Sequence, residues 1–268
     1  MIANARMYSV NTAAALAWRE LLGWVLQRAG AEPDFDIIEH AAPAPMAALW
    51  SREDLGAALM CGLPYSLRVP RPQLIAVPIP SPPRYAGLPR YATDLAVRAD
   101  SSFATLDDTF GGRIGYTVGD SQSGYFAVRH FLQPYQQRRG GALFREVTGQ
   151  LLNARGVIDA LVSRRIDVGP LDSYSHDLLA HLEPDYARQV RVVATTPWTS
   201  IPAFVATANL DAESLSALRH AFVEAAGAPE LDRVRATLLL QGFAIPAPDD
   251  YAPLRDRHDA LSAIPEVW

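Results

Sequence analysis

The middle third of the chain alternates short apolar runs with amphipathic ones, and this alternation limits the fold more than any other feature. Arg113 to Val118 reads as a strand, Ser121 to Gln137 as a helix and Leu143 to Val147 as a second strand. Gln150 to Ser163 follows as a helix with Leu151, Ile158, Leu161 and Val162 apolar, and Asp167 to Leu171 as a third strand. Short strands separated by helices imply parallel pairing, because a parallel crossover needs a connection of helix length. The class is therefore α/β.

The flanks fit the same class. An apolar opening from Ile2 to Val10 leads into a helical run from Ala13 to Arg28, with Leu16, Leu21, Val25 and Leu26 near helical spacing. Phe35 to Ile38 reads as a short strand, and Leu55 to Cys61 as an apolar run closing in Cys61-Gly62-Leu63-Pro64-Tyr65. Eight prolines fall in the 27 residues from Pro64 to Arg90. Proline has no amide to give a ladder, so long helices and central strands are not expected there, Gln73 to Val77 excepted. Tyr91 to Arg98, Val190 to Thr195 and Ala203 to Ala208 read as strands, and segments near 211–226, 230–240 and 251–261 as helices. A length of 268 residues leaves room for two domains.

Composition narrows the chemistry. All 24 basic residues are arginine, which removes Schiff bases, a pyridoxal phosphate anchor and a Walker phosphate loop. The formal charge of −5 draws the chain neither to nucleic acid nor to an anionic membrane. Cys61 stands alone and reads as a small buried residue. The six histidines form no metal-ligand spacing, and no cofactor is expected. His176 and His181 are expected on a surface helix. No run approaches the ~20 apolar residues of a membrane span, so no membrane insertion is expected. The apolar run from Ala13 to Trp18 is broken by Arg19 and Glu20, unlike a secretory leader. As written the chain reads as cytoplasmic, or as periplasmic if a leader has been removed.

The segment richest in chemistry is Gly119-Asp120-Ser121-Gln122-Ser123-Gly124-Tyr125, between a strand and a helix. Small hydroxyl residues there cap the helix while its unpaired amides and partial positive charge suit an oxyanion. The same residues also suit a plain N-cap with no ligand. Gly119-Asp120-Ser121 could instead be a hydrolase nucleophile block, which needs a histidine base. Asp172 with His176 and Asp256 with His258 are the downstream pairs, and neither has the Asp-x-x-His spacing of that family. Tyr8, Tyr65 and Tyr91 stand where strands end, the place at which α/β sheets collect ligands.

Taken in order, these segments resemble the substrate-binding proteins of phosphate, phosphite and phosphonate ABC transporters, of the class II periplasmic-binding-protein fold. The resemblance rests on Asp120 to Tyr125, Cys61 to Tyr65, Tyr91 before Leu95 to Arg98, Thr148-Gly149, and Asp167-Val168-Gly169-Pro170-Leu171-Asp172, over roughly residues 1–210. It implies two lobes joined by two crossover strands around a central ligand cleft, with 1–92 plus 197–268 as one lobe and 93–196 as the other. It implies a small oxyanion as ligand, captured by hinge closure, and an ABC permease as partner. Ser121, Gln122, Ser123, the Gly124 amide and Thr148 would face the ligand from one lobe. Tyr8, Tyr65 and Tyr91 would face it from the other, and Asp172 would accept from a protonated oxygen or an amine. The family usually places a histidine two residues after Thr148-Gly149, where this chain has Leu151. One charged contact is thereby lost, which opens the site to a less charged or larger solute with Trp198 as an apolar wall. The alternative on the same fold is a cytosolic enzyme, menaquinone- or thiamine-pathway-like, with an acid/base group in the cleft.

Overall fold

A computed structural model describes residues 1–262, 264 and 268 of the chain. Contacts divide it into two compact units, Met1–Arg90 with Ser200–Ala252, and Tyr91–Thr199 with Pro253–Trp268.

The first unit is built on a six-stranded sheet, in the spatial order Leu240–Ala244, Gln73–Pro80, Ala203–Ala206, Leu55–Met60, Ile2–Asn4 and Asp36–Ile37. Ile2–Asn4 runs parallel to both its neighbours, and Ala203–Ala206 antiparallel to both of its own. Leu55–Met60 is buried at every position, as a continuous apolar strand with partners on both sides must be. The Thr12–Arg28 helix starts on the Asn11 side chain, which accepts the Ala14 amide, and buries Trp18, Leu21, Leu22, Val25 and Leu26. Leu16, placed on the apolar stripe by the sequence, is 62% exposed, because Ala14, Ala17 and Leu21 turn the buried face away from it. Phe222 packs between Phe204, tilted at 4.7 Å, and Phe243, edge-on at 5.0 Å.

Two expectations for this unit are corrected. The strand at Gln73 runs on through Pro78 to Pro80, inside the proline-rich stretch. It pairs with Ala203–Ala206 only up to Ala76, and with Leu240–Ala244 only from Val77 onward. The prolines thus fall where one side of the strand has no ladder to supply. The helix expected over 230–240 ends at Thr237, and Leu240–Ala244 is a strand.

The second unit carries a three-stranded antiparallel sheet in the order Val190–Thr195, Thr93–Arg98 and Gly169–Asp172. Arg113–Gly115 and Glu146–Thr148 pair in parallel, and Ile114 bridges to Val168, also in parallel. Pairing in both units is therefore mixed rather than purely parallel. Thr93–Arg98 and Val190–Thr195 are the first and last long strands of the second unit and cross it in opposite senses. Leu95, Val97, Ile114, Val128, Leu132 and Val168 form its core.

Residues 253–268, expected with the first lobe, pack into the second unit. The Trp268 carbonyl accepts the Leu143 and Phe144 amides, at 2.8 and 3.2 Å. Its indole lies parallel to the Tyr116 ring at 6.0 Å, and His258 lies against Phe126. Residues 263 and 265–267 of that stretch lie outside the described residues. Tyr91, Ala92 and residues 197–199 also belong to this unit. Ala92 exchanges hydrogen bonds with Ser173, its amide donating to Ser173 Oγ and its carbonyl accepting the Ser173 amide.

Candidate functional site

After the Arg113–Gly115 strand the chain turns through residues 116–121 into the Ala127–Arg139 helix. Ser121 caps this start: its Oγ accepts the Gly124 amide at 2.9 Å. Its carbonyl accepts the Phe126 amide at 3.1 Å, so Gln122–Phe126 forms a wide π turn. The Ser121 hydroxyl, used here as an acceptor, keeps its own proton to donate. The Gly124 amide, expected to face a ligand, donates to that cap. Thr117 lies directly under Gly124, and a Cβ on Gly124 would stand 2.8 Å from Thr117 Cβ. Only glycine fits that contact.

Thr93 holds the start in place from the neighbouring sheet. Its hydroxyl donates to the Ser123 carbonyl at 2.9 Å, and in the ladder it stands opposite Asp172. Tyr91 is buried two residues before it. The Thr148 carbonyl accepts the Tyr116 amide at 3.0 Å, and Tyr116 precedes Thr117. Thr93, Tyr116 and Thr117 thus connect Ser121, Gln122, Ser123, Gly124, Thr148 and Asp172 within one unit. None of the three was singled out from the sequence. An isolated threonine in a strand carries no local signal of the partner it will meet.

Asp172 has a structural duty in this state: its Oδ1 accepts the Tyr174 and Ser175 amides, both at 3.0 Å, and caps the Ser173–Leu182 helix. Leu151 is 5% exposed and packs with Ile166 over the Cα of Gly115. Its side chain belongs to the core, while Gln150 and Leu152 on either side adopt φ of +57° and +69°. Trp198 is half-buried in the segment after Val190–Thr195. In the first unit, Tyr8 and Tyr65 are both buried. Tyr65 meets Tyr251 edge-on at 5.0 Å, and burial raises its pKa, keeping the hydroxyl a neutral donor.

His181 is exposed on the Ser173–Leu182 helix, as expected, but His176 is placed differently. His176 is not on a solvent face: its side chain is 14% exposed, and Nδ1 lies 3.2 Å from the fully buried Asp94 carboxylate. Asp94 also accepts the Thr195 hydroxyl at 2.9 Å. His258 pairs with its neighbour Asp259 at 3.0 Å. Among the described residues no group of three His, Cys, Asp or Glu side chains could hold a metal ion.

An α/β chain of two units with mixed sheets and a hydroxyl-capped helix start has the build of the periplasmic-binding class. The chain belongs to the family of periplasmic substrate-binding proteins of phosphonate ABC transporters, whose profile matches residues 10–251. Among solved structures it is similar to a binding-protein component of an ABC phosphonate transporter from Pseudomonas aeruginosa. That likeness has TM-score 0.77 and 20% identity over 96% of this chain and 85% of that one. It is also similar to PhnD1 of Prochlorococcus marinus in complex with methylphosphonate, at TM-score 0.79 and 14% identity over 98% of each chain. A Xanthomonas citri protein bound to ATP follows at TM-score 0.65 and 18% identity, over 97% of this chain and 98% of that one. No curated protein sequence matches the chain. These likenesses show the fold, and the family match shows a transport substrate-binding protein. Membership implies a small-molecule ligand and a permease partner. No described helix is long and apolar enough to cross a membrane.

Proposed function

We propose that the protein binds a small phosphorus oxyanion of the phosphonate class without transforming it, and delivers it from the periplasm to an ABC permease. The observation that carries this reading is the start of the Ala127–Arg139 helix. There Ser121 caps with its oxygen and retains a donor proton, and the wide first turn adds partial positive charge. Ser123 and Thr148 supply further hydroxyls from the same unit, to which Tyr91 also belongs.

A thermal-shift panel tests the reading, using phosphate, phosphite, alkyl- and aminoalkylphosphonates, sulfate and neutral aromatic controls. A ligand at 100 times its dissociation constant adds about 2.7 kcal/mol, which raises the Tm of a chain of this size by roughly 5–10 °C. A selective rise with a phosphorus oxyanion is expected. A flat response to every anion, with a rise from a neutral solute, discards the proposed ligand class. Ser123→Ala is expected to weaken binding of the responding ligand by about 1–3 kcal/mol in calorimetry, the loss of one hydrogen bond to a buried oxyanion.

A further inference from the structure

Beneath the start of the Ala127–Arg139 helix lies a hydroxyl with no part in the site described above. Thr117 is only 9% exposed, and among the described residues its buried Oγ1 has no hydrogen-bond partner. The other buried threonines of this unit are all paired. Thr93 donates to the Ser123 carbonyl at 2.9 Å, Thr109 to the Leu106 carbonyl at 2.6 Å, and Thr196 Oγ1 accepts the Thr93 amide at 2.9 Å. Ser101 Oγ is also unpaired, but it lies in the turn after Arg98, at the other end of the Thr93–Arg98 strand. An unpaired buried hydroxyl is costly, and valine has the same shape without one. The Thr117 hydroxyl therefore calls for an acceptor that the folded chain does not supply.

Its surroundings show where that acceptor arrives. The three atoms nearest a Cβ built on Gly124 are all in the Thr117 side chain, with Oγ1 closest, so the hydroxyl faces the first turn of the helix. The Thr117 backbone is held on both sides: its amide donates to the Gly124 carbonyl and its carbonyl accepts the Leu152 amide, each at 3.2 Å. What covers the hydroxyl is a residue without a side chain. That residue sits in a turn closed from Ser121 to Phe126, one residue wider than an α turn, which can shift without breaking the helix behind it. The partial positive charge of the helix start draws an anion to this turn, and every oxygen of an anion is an acceptor.

We propose that Thr117 is a further ligand-binding residue: as an oxyanion seats at the helix start, the wide turn moves Gly124 aside and the Thr117 hydroxyl donates to an anion oxygen. This rests on the oxyanion reading above. The test takes the full chain and the phosphorus oxyanion with the largest shift in the panel, and compares the parent with Thr117→Val and Thr117→Ser by calorimetry and by Tm without ligand. Thr117→Val is expected to weaken binding by roughly 10- to 100-fold, the loss of one hydrogen bond to a charged acceptor. Its ligand-free Tm is expected to equal or exceed the parent's, because no bond is lost. Thr117→Ser keeps the hydroxyl and loses a packed methyl group, so it is expected to bind within a few-fold of the parent and to unfold at a lower temperature. A merely structural role would not move affinity and stability in opposite order across the two variants. Parental affinity in Thr117→Val overturns this proposal alone and leaves the ligand class standing. A lowered ligand-free Tm in Thr117→Val shows a hydroxyl already paired and overturns it, as does an equal loss of affinity in both variants. A panel without a phosphorus oxyanion that binds overturns the reading above and this proposal with it.

Discussion

Gly124 and Leu151 illustrate how single positions govern the candidate site. Gly124 lies on Thr117 with no room for a methyl group. Gly124→Ala is expected to push the helix start off Thr117 at a cost of about 1–3 kcal/mol, with weaker ligand binding. Urea unfolding and calorimetry on the same variant measure both effects. Leu151 marks the departure from the family pattern, and its burial decides what reverting it would do. Leu151→His would place a polar ring against Gly115 and Ile166. A loss of about 1–3 kcal/mol of stability is expected, the cost of an unpaired buried polar group, with no gain in phosphonate affinity. A tightened phosphonate affinity would show that this position reaches the ligand. The Ser121 cap was legible in the sequence because its partner, Gly124, is three residues away. The contact between Thr117 and Gly124 was not, since it depends on how the turn between them closes.

At the level of elements, the second unit depends on how its strands are pinned at their ends. Arg113, at the start of its strand, meets Asp167 three times: through its backbone amide at 2.8 Å, Nε at 3.1 Å and the far guanidinium nitrogen at 2.9 Å. The Arg113 guanidinium holds the Asp167 carboxyl below the usual carboxylate range. A carboxyl whose folded pKa is depressed stabilises the fold above its unfolded value, near 3.9, and loses that contribution as pH falls through the folded value. Asp167→Asn is therefore expected to cost about 1.5–3 kcal/mol at pH 7. The gap to the parent should narrow below pH ~4, as read by urea unfolding across that range. Helix and strand periods were legible for the Thr12–Arg28 and Ala127–Arg139 helices and for Leu55–Met60. The strand through Pro78 and Pro80 was not. A proline shows that a ladder bond is missing, but only the sheet shows on which side a neighbour is absent.

For the whole molecule, the proposal that the two units act as the lobes of a binding protein carries its own measurement. If solute capture works by hinge closure, the ligand that raises the Tm should also lower the radius of gyration in small-angle scattering. An unchanged radius with a saturating ligand would separate binding from closure. What the sequence alone determined is whatever depends on near neighbours: strand and helix periods, the cap at Ser121, and the absence of lysine chemistry. Its ordered motifs also pointed to the family before any coordinate was known. Tertiary structure alone decided that Thr93 holds Ser123, that Asp94 meets His176 and that Trp268 lies on Tyr116. It also turned Leu151 into core and placed residues 253–268 with the second unit. These contacts join residues far apart in the chain. Their formation is set by the packing of whole elements, and no local pattern of residue types records it.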